Sequence, residues 1–176
     1  MEEVYQEGRC SSSIIEYLGM AKYRLLTQDE LSQFEKEFVD YLVINGITAD
    51  DWEKMKKDNP KRTDEIADLF SDVVFEKIMR NVEYLVKMES QKIFAFKCGK
   101  EEIELVCIET SDGKIDFTTD SGLQELKNSP PNDLSGFQAS KSYTETRELE
   151  LFKMTEQGCA ISDGSWYKSL CRVVDN

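Results

Sequence analysis

The sequence predicts an α+β fold in which an N-terminal three-helix unit packs on a small antiparallel β-meander, with two C-terminal helices after it. Helix-capping patterns and apolar stripes of helical spacing fill the first half of the chain. Alternating apolar and polar residues follow between residues 93 and 119. The chain has 176 residues, 40% of them hydrophobic, which suffices for one core. We therefore predict a disordered extension over residues 1–22 and a single domain over residues 23–176.

The first helix is predicted to begin at Thr27. Its hydroxyl can accept from an amide three residues on, and the Glu30 carboxylate can reach back to the Thr27 amide, which makes a capping box. An apolar stripe of residues three and four apart continues the helix: Leu31, Phe34, Phe38 and Leu42. Asn45 and Gly46 supply a left-handed end. One helix is therefore expected over these residues.

Thr48 and Asp51 repeat the capping pattern, so a second helix is predicted to run to about Lys57. Asn59 and Pro60 then start a third helix, because proline at the first helical position sacrifices no internal hydrogen bond.

The third helix is predicted over residues 59 to 85 and is the element against which the others are expected to pack. Its first half is amphipathic, with these residues on the buried face: Ile66, Leu69, Phe70 and Val73. Its second half is apolar on nearly every side, through Phe75, Ile78, Met79 and Val82. The second half is therefore expected to be buried.

Three strands are predicted after the third helix, over residues 93 to 98, 103 to 108 and 115 to 119. Residues 84 to 89 are a possible fourth strand. The pair Asp112 and Gly113 favours a tight hairpin turn. Residues 105 to 108 are apolar on both faces, which indicates the central strand.

Residues 120 to 141 are rich in turn-forming residues and are predicted to be one long loop, with a short helical turn over residues 122 to 127. Long loops in compact domains are often functional. Ser142 and Glu145 form a weaker capping pattern for a helix that ends at Gly158. A last short helix, carrying Trp166, is predicted after Gly164.

Five segments of the chain together carry a resemblance to a protein family: YRLLT (23 to 27), EFVDYLVINGITADDWEKMK (37 to 56), DLFSDVVFEKIMRNVEYL (68 to 85), IDFTT (115 to 119) and ELFKMTEQGCAISDGSWYKSLC (150 to 171). In these segments the chain resembles an uncharacterised family of small acidic proteins of Bacteroidota, a domain of unknown function. The resemblance implies a bacterial, cytoplasmic, single-domain protein with Met20 as its natural start. It implies no activity and no site residues.

The acidic composition narrows the classes of partner. The formal net charge of −13 repels the phosphate backbone of nucleic acids and anionic membrane surfaces, whereas it favours a basic protein surface. No run of residues reaches the roughly 18 apolar positions that a bilayer span needs, and the acidic N-terminus is unlike a secretory signal. We therefore expect a cytoplasmic location and no membrane association.

Catalytic, metal and cofactor signatures are missing from the sequence. The chain contains no histidine, which excludes histidine-based hydrolase triads and removes the commonest metal ligand. The five cysteines are widely spaced without a C-x-x-C pair, so reduced, partly buried thiols are expected. Glycine-rich phosphate loops do not occur. We predict no metal, no cofactor and no identifiable catalytic residue.

An acidic ridge on the third helix is the remaining candidate site. It comprises Asp64, Glu65, Asp68, Asp72 and Glu76. Carboxylates four residues apart repel one another, so such a stripe can indicate a basic partner. A solvated helix face with charge favoured near the helix N-terminus explains the same pattern. Trp52 is a candidate aromatic contact, and both Trp52 and Trp166 could anchor an interface if exposed, although core packing is the favoured role for both.

Three functions are compatible with these observations. The first is a non-enzymatic binding or adaptor protein that engages a basic protein through the acidic ridge, with the loop over residues 128 to 140 as a further candidate contact. The second is a small enzyme with a carboxylate, Lys, Tyr or Cys site in a cleft between the sheet and the helices, which would show converging ionisable groups with shifted pKa values. The third is an accessory subunit of a larger assembly, which would expose an apolar patch. The sequence does not determine the oligomeric state.

Overall fold

The computed structural model describes residues 21–111 and 113–175. These residues contain seven helices and a five-stranded antiparallel sheet, which confirms the predicted α+β class with helices before and after a β-meander. The chain divides into two compact units, one up to Phe75 and one from Glu76 onwards. Only Ala21 and Lys22 of the predicted extension are described. Whether the chain is one domain stays a prediction.

The first unit is helical. Its helices are α1 (Gln28–Gln33), α2 (Glu35–Ile44), α3 (Ala49–Asp58) and the greater part of α4 (Pro60–Arg80). Both predicted capping boxes are confirmed, at Thr27 with Glu30 and at Thr48 with Asp51. The single helix predicted from Thr27 is wrong in one respect, because it divides at Phe34. The Phe34 amide bonds the carbonyl of Leu31, three residues back, which tightens the chain and ends α1.

Aromatic rings form the centre of the first unit. Phe70 of α4 is 2% exposed, and its ring centroid lies 4.9 Å from that of Phe38 and 5.4 Å from that of Tyr41. The predicted burial of Val73 is wrong, since Val73 is 50% exposed and Val74 is buried instead. Val74 continues the four-residue spacing from Ile66 and Phe70, which keeps it on the packed face of the helix.

The third helix ends earlier than predicted. It stops at Arg80, and residues 84 and 85 begin a strand. The Asn81 and Val82 amides bond carbonyls three residues back, which closes the helix before the strand. The predicted burial of the second half holds for Phe75, Met79 and Val82, whereas Ile78 is half-buried.

The second unit is built on the sheet. Its strands are β1 (Tyr84–Glu89), β2 (Lys92–Cys98), β3 (Glu102–Glu109), β4 (Ser135–Ser142) and β5 (Ala160–Ser162), in the spatial order β4-β3-β2-β1-β5. The strands predicted near residues 84, 93 and 103 are confirmed. The middle strand of the five is β2, so the prediction that residues 105 to 108 lie in the central strand is wrong, although their strand, β3, is an interior one.

The strand predicted over residues 115 to 119 does not form. Ile115 and Phe117 are buried, which explains their apolar alternation, but Thr119 caps the helix that follows by accepting a hydrogen bond from the Gly122 amide. That helix is α5 (Asp120–Asn128). The predicted turn at Asp112 lies outside the described residues.

The long loop predicted over residues 120 to 141 is also wrong, because it contains α5 and most of β4. All eight residues of β4 are exposed, and the strand pairs along its full length with β3. Ser142 is the last residue of β4, where it pairs with Glu102, so it does not cap a helix as predicted. Helix α6 (Arg147–Glu156) begins after Thr146, and α7 (Ser165–Val174) follows Gly164 as predicted.

One face of the sheet and α7 enclose one buried apolar cluster of the second unit. Its buried members come from β2, β3, the segment before α5, and α7: Ile93, Ala95, Val106, Ile108, Ile115, Phe117 and Leu170. Two glycines allow close approach around this cluster. A Cβ on Gly122 would lie 1.9 Å from the carbonyl oxygen of Asp116, and one on Gly136 would lie 2.5 Å from a methyl carbon of Val174.

Candidate functional site

The acidic ridge is not uniformly available to a partner. Both oxygens of the Asp72 carboxylate accept backbone hydrogen bonds, from the Lys22 amide at 2.8 Å and from the Tyr23 amide at 2.9 Å. The preceding residue, Ser71, accepts a hydrogen bond of 3.1 Å through its hydroxyl oxygen from the Leu26 amide. Asp72 therefore fixes residues 22 and 23 on α4.

Two other carboxylates of the acidic ridge have arginine partners. Glu65 lies 3.0 Å from a guanidinium nitrogen of Arg62 in the first unit. Glu76 belongs to the second unit, and Arg80 lies 3.4 Å from it. Both pairs are partly exposed, so each contributes little to stability.

Asp64 and Asp68 have no cationic partner within residues 21–111 and 113–175. Among the described residues, neither carboxylate accepts a hydrogen bond or forms an ion pair. Burial raises the pKa of the Asp68 carboxyl, and the neighbouring charges of Asp64, Asp72 and Glu65 raise it further. The ionised form of Asp68 is therefore disfavoured by its own fold, and a cation beside it would relieve that cost.

Trp52 lies in the first unit and is half-buried. Its ring contacts Phe38 edge to face, with the centroids 5.3 Å apart and the planes at 79°. The body of Trp52 therefore packs on α2, while part of its surface reaches solvent.

Exposed apolar residues on α2 were not predicted from the sequence. Val39, Val43 and Ile44 are 52%, 65% and 85% exposed. In the sequence they lie next to Phe38 and Leu42 of the predicted stripe. The run of two β-branched residues at the helix end was the only sequence signal of this surface.

The second unit contains a polar cleft between the sheet and the helices, where the enzyme hypothesis predicts converging ionisable groups. It has a volume of about 590 Å³, and its lining includes Tyr84, Lys97, Cys98, Lys100 and Arg147. Arg147 donates to four backbone carbonyl oxygens, those of Met79, Val82, Cys98 and Gly99. Its guanidinium is therefore occupied in holding the end of α4 to the β2–β3 hairpin.

Two ionisable groups of this cleft, Cys98 and Lys97, have pKa values shifted away from reactivity. Burial raises the pKa of the Cys98 thiol to about 12, so the nucleophilic thiolate is scarce at neutral pH. A hydrogen bond to Glu104 raises the pKa of Lys97, which keeps the amine protonated. A general base or nucleophile needs the opposite shifts.

The second unit also contains an apolar groove. It has a volume of about 660 Å³. The residues lining it come from β3, α5, the segment between α5 and β4, and α7: Ile108, Leu123, Leu126, Lys127, Pro130, Leu134, Ser165, Trp166, Ser169, Leu170 and Val173. Trp166 was singled out by the sequence, but its neighbours across the groove were not, because they are distant along the chain.

The described residues contain no group of three or more Cys, Asp or Glu side chains placed to hold a metal ion. Cys98, Cys107 and Cys159 are buried free thiols and Cys171 is half-buried, as predicted for small hydrophobic side chains. Within the described part of the chain, no helix is long and apolar enough to span a bilayer.

Residues 20–175 match the model of a family described as a family of unknown function, DUF6495. The match covers both compact units and nearly the whole chain. It agrees with the resemblance to a domain of unknown function that the sequence motifs indicated. No curated protein and no solved structure is recognisably similar to the chain.

Proposed function

The chain belongs to the DUF6495 family of unknown function, and we propose that it is a non-enzymatic binding protein that engages a basic protein surface through the first unit. We place this function in the bacterial cytoplasm, in line with the family resemblance of its sequence motifs. The partner is a protein with clustered Lys or Arg side chains, because the net charge of −13 disfavours nucleic acids and anionic membranes.

The uncompensated charge at Asp68 carries this proposal. Its pKa is raised by burial and by three neighbouring carboxylates, and no cation of the described residues approaches it. A lysine or arginine of a partner placed between Asp64 and Asp68 would remove this repulsion. The gain is available only on binding, which makes these two residues suited to selecting a basic partner.

The proposed contact surface is narrower than the acidic ridge as a whole. Asp72 is committed to the Lys22 and Tyr23 amides, so it supplies negative potential without being free to move. Glu65 can exchange Arg62 for a partner cation, because water already reaches this partly exposed pair. We therefore assign direct contact to Asp64, Glu65 and Asp68.

The polar cleft supports binding over catalysis. Its arginine is held by backbone carbonyls, its thiol has a pKa of about 12, and its lysine is paired with Glu104. These groups stabilise the second unit, and none has the pKa shift that a general base or nucleophile needs.

Co-purification from the native cell at increasing salt tests this function. The tagged chain, the double variant Asp64→Lys with Asp68→Lys, and a control variant Asp50→Lys with Asp58→Lys are compared. The control carries the same change of charge on α3, at two exposed residues. A specific partner is expected to bind the unchanged chain and the control, to be lost from the α4 variant, and to be released between about 0.05 M and about 0.5 M salt.

Two results would reject the proposal. If no protein is retained at low salt, the chain has no basic partner in that cell. If both double variants lose the partner equally, net charge alone explains the binding and α4 has no special role.

A further inference from the structure

We propose that the apolar groove of the second unit is a binding site for a small amphiphilic carboxylate, whose apolar body lies on Trp166 and the leucines of α5 and whose carboxylate pairs with Lys127. The volume of about 660 Å³ is within the range of about 300 to 1,000 Å³ typical of small-molecule sites. This site is separate from the surface proposed to bind a basic protein.

The floor and walls of the groove are apolar. Ile108 and Leu170 are 1% and 3% exposed and form part of the buried core. Leu123, Leu126 and Trp166 are half-buried and pack against that core, so each leaves a portion of its apolar surface uncovered. Val173, also in the lining, is 50% exposed. A ligand with a hydrocarbon body would remove this surface from water.

Lys127 gives the groove its charge preference. It is the only charged side chain among the lining residues. No carboxylate of the described residues pairs with it, although the chain carries 35 acidic residues against 22 basic ones. It lies in the last turn of α5, where the helix dipole favours a cation. An unpaired ammonium at an apolar groove favours an anionic head on an apolar ligand.

The free hydrogen-bond donors that line the groove are enough to bind one carboxylate. Besides Lys127, the lining contains two hydroxyl groups. That of Ser165 bonds the Asp163 carboxylate, whereas that of Ser169 has no hydrogen-bond partner among the described residues. A carboxylate accepts from an ammonium and a hydroxyl together. A phosphate group has more acceptor oxygens than the Lys127 ammonium and the Ser169 hydroxyl can satisfy. A cationic ligand would be repelled by Lys127.

The groove walls are fixed by close backbone contacts rather than by flexible packing. Gly122 brings α5 against the Asp116 carbonyl, and Gly136 brings β4 against Val174 of α7. The Asp133 carboxylate accepts from the Thr110 hydroxyl and from both the amide and the hydroxyl of Ser111, which ties the segment after α5 to the end of β3. A preformed groove of this kind lowers the entropic cost of ligand binding.

Titration with saturated carboxylates tests the site. The chain has two tryptophans, so the Trp52→Phe variant leaves Trp166 as the single fluorescent indole. Hexanoate, octanoate, decanoate and 1-decanol are added, and the fluorescence and the heat of binding are recorded. We expect saturable binding of one ligand per chain, with the dissociation constant falling by up to about fourfold for each added methylene.

Three variants separate the carboxylate contact from the apolar contact. Lys127→Gln is expected to weaken decanoate binding about fivefold and to leave 1-decanol binding unchanged. Leu126→Glu is expected to abolish binding of both probes, with circular dichroism confirming that the fold is kept. Lys100→Gln, which removes an exposed lysine outside the groove, is expected to change nothing.

Several results would overturn the proposal. One is the absence of saturable binding at millimolar decanoate. Another is an equal effect of Lys127→Gln on decanoate and 1-decanol. Sedimentation of the unliganded chain provides a third, because a dimer dissociated by Val173→Glu would assign the groove to a second copy of the chain.

Discussion

The guanidinium of Arg147 donates a hydrogen bond of 3.0 Å to the carbonyl oxygen of Met79, in the last turn of α4. The same side chain bonds the carbonyl of Val82, just before β1, and those of Cys98 and Gly99 at the β2–β3 turn. Residues separated by up to 68 positions in the sequence are thereby joined at one point. Arg147 is only 15% exposed, so its bonds are poorly screened by water.

Replacing Arg147 is expected to destabilise the chain more than replacing Glu150 or Arg80. Arg147→Ala leaves four carbonyl oxygens without their donor, and we expect a loss of about 3 to 5 kcal/mol in the free energy of unfolding. Urea denaturation measures it. Arg80→Ala is the control, because Arg80 is 69% exposed and should cost less than about 0.5 kcal/mol. Equal costs for the two variants would contradict this role.

Glu150 is expected to make stability depend on pH in the acid range. It is 7% exposed and accepts bonds from the Lys141 ammonium and the Thr144 amide. Burial by itself would raise its pKa, but these bonds outweigh it and hold the pKa below the ordinary value of 4.5. The bonds therefore stabilise the fold above pH 4.5, and their contribution is lost as the pH falls through the folded-state pKa.

Glu150→Gln tests this assignment. We expect it to cost about 1 to 3 kcal/mol at pH 7, with the difference from the unchanged chain shrinking below pH 4.5. Urea denaturation at several pH values measures the difference. A cost that stays constant down to pH 3 would mean that the charge of Glu150 is not the stabilising feature.

Gly122→Ala is expected to destabilise the second unit by about 2 to 4 kcal/mol, because the new methyl group would lie 1.9 Å from the Asp116 carbonyl oxygen. Gly46→Ala serves as the comparison. Gly46 has a φ of 74° but open space around it, so only backbone strain of about 1 kcal/mol is expected. Chemical denaturation of both variants would refute the steric explanation if Gly46→Ala proved the more costly.

Asp72→Ala is expected to release residues 22 and 23 from α4, because their amides lose the carboxylate that accepts them. Hydrogen exchange of the Tyr23 amide should accelerate by at least about tenfold. Asp64→Ala, on the same helix but without a bonded amide, should leave this exchange unchanged. Unaltered protection in Asp72→Ala would show that these two bonds do not hold the segment.

The buried thiols are expected to resist alkylation. Burial raises the pKa of Cys98 to about 12 and that of Cys107 to about 11, and it raises the pKa of Cys159 as well. In a Cys10→Ser background at pH 8, iodoacetamide should therefore modify these three thiols only after the protein is unfolded. Mass spectrometry of digested protein identifies the modified residues. Rapid modification of native Cys98 would contradict the assignment of the polar cleft as unreactive.

The parts of the fold that were predictable are those determined by neighbours in the sequence. Thr27 with Glu30 and Thr48 with Asp51 form their capping boxes within four residues, so both helix starts were correct. The strand predicted over residues 115 to 119 was wrong. Ile115 and Phe117 are buried, which produces the apolar and polar alternation typical of a strand although the segment pairs with no other strand. All residues of strand β4 are exposed, so the strand has no buried apolar face that a sequence pattern could reveal. It forms a strand because it pairs with β3. Such pairing between distant segments leaves no local pattern.

The candidate sites follow the same division. The acidic ridge was visible in the sequence because helical spacing alone places its carboxylates together. The use of Asp72 was not visible, since its partner Tyr23 lies 49 positions away. The groove around Trp166 is assembled from α5, α7 and β3. The position of Lys127 beside an apolar groove was not predictable, because these elements are distant along the chain.

A titration of the isotope-labelled chain with a lysine-rich peptide, followed by nuclear magnetic resonance, tests the proposed binding surface most directly. We expect the largest amide shifts at Asp64, Glu65 and Asp68. We expect these shifts to vanish in the double variant Asp64→Asn with Asp68→Asn and to persist in the double variant Asp50→Asn with Asp58→Asn. Shifts spread evenly over all acidic surfaces, or shifts at α4 that survive the loss of both aspartates, would contradict it.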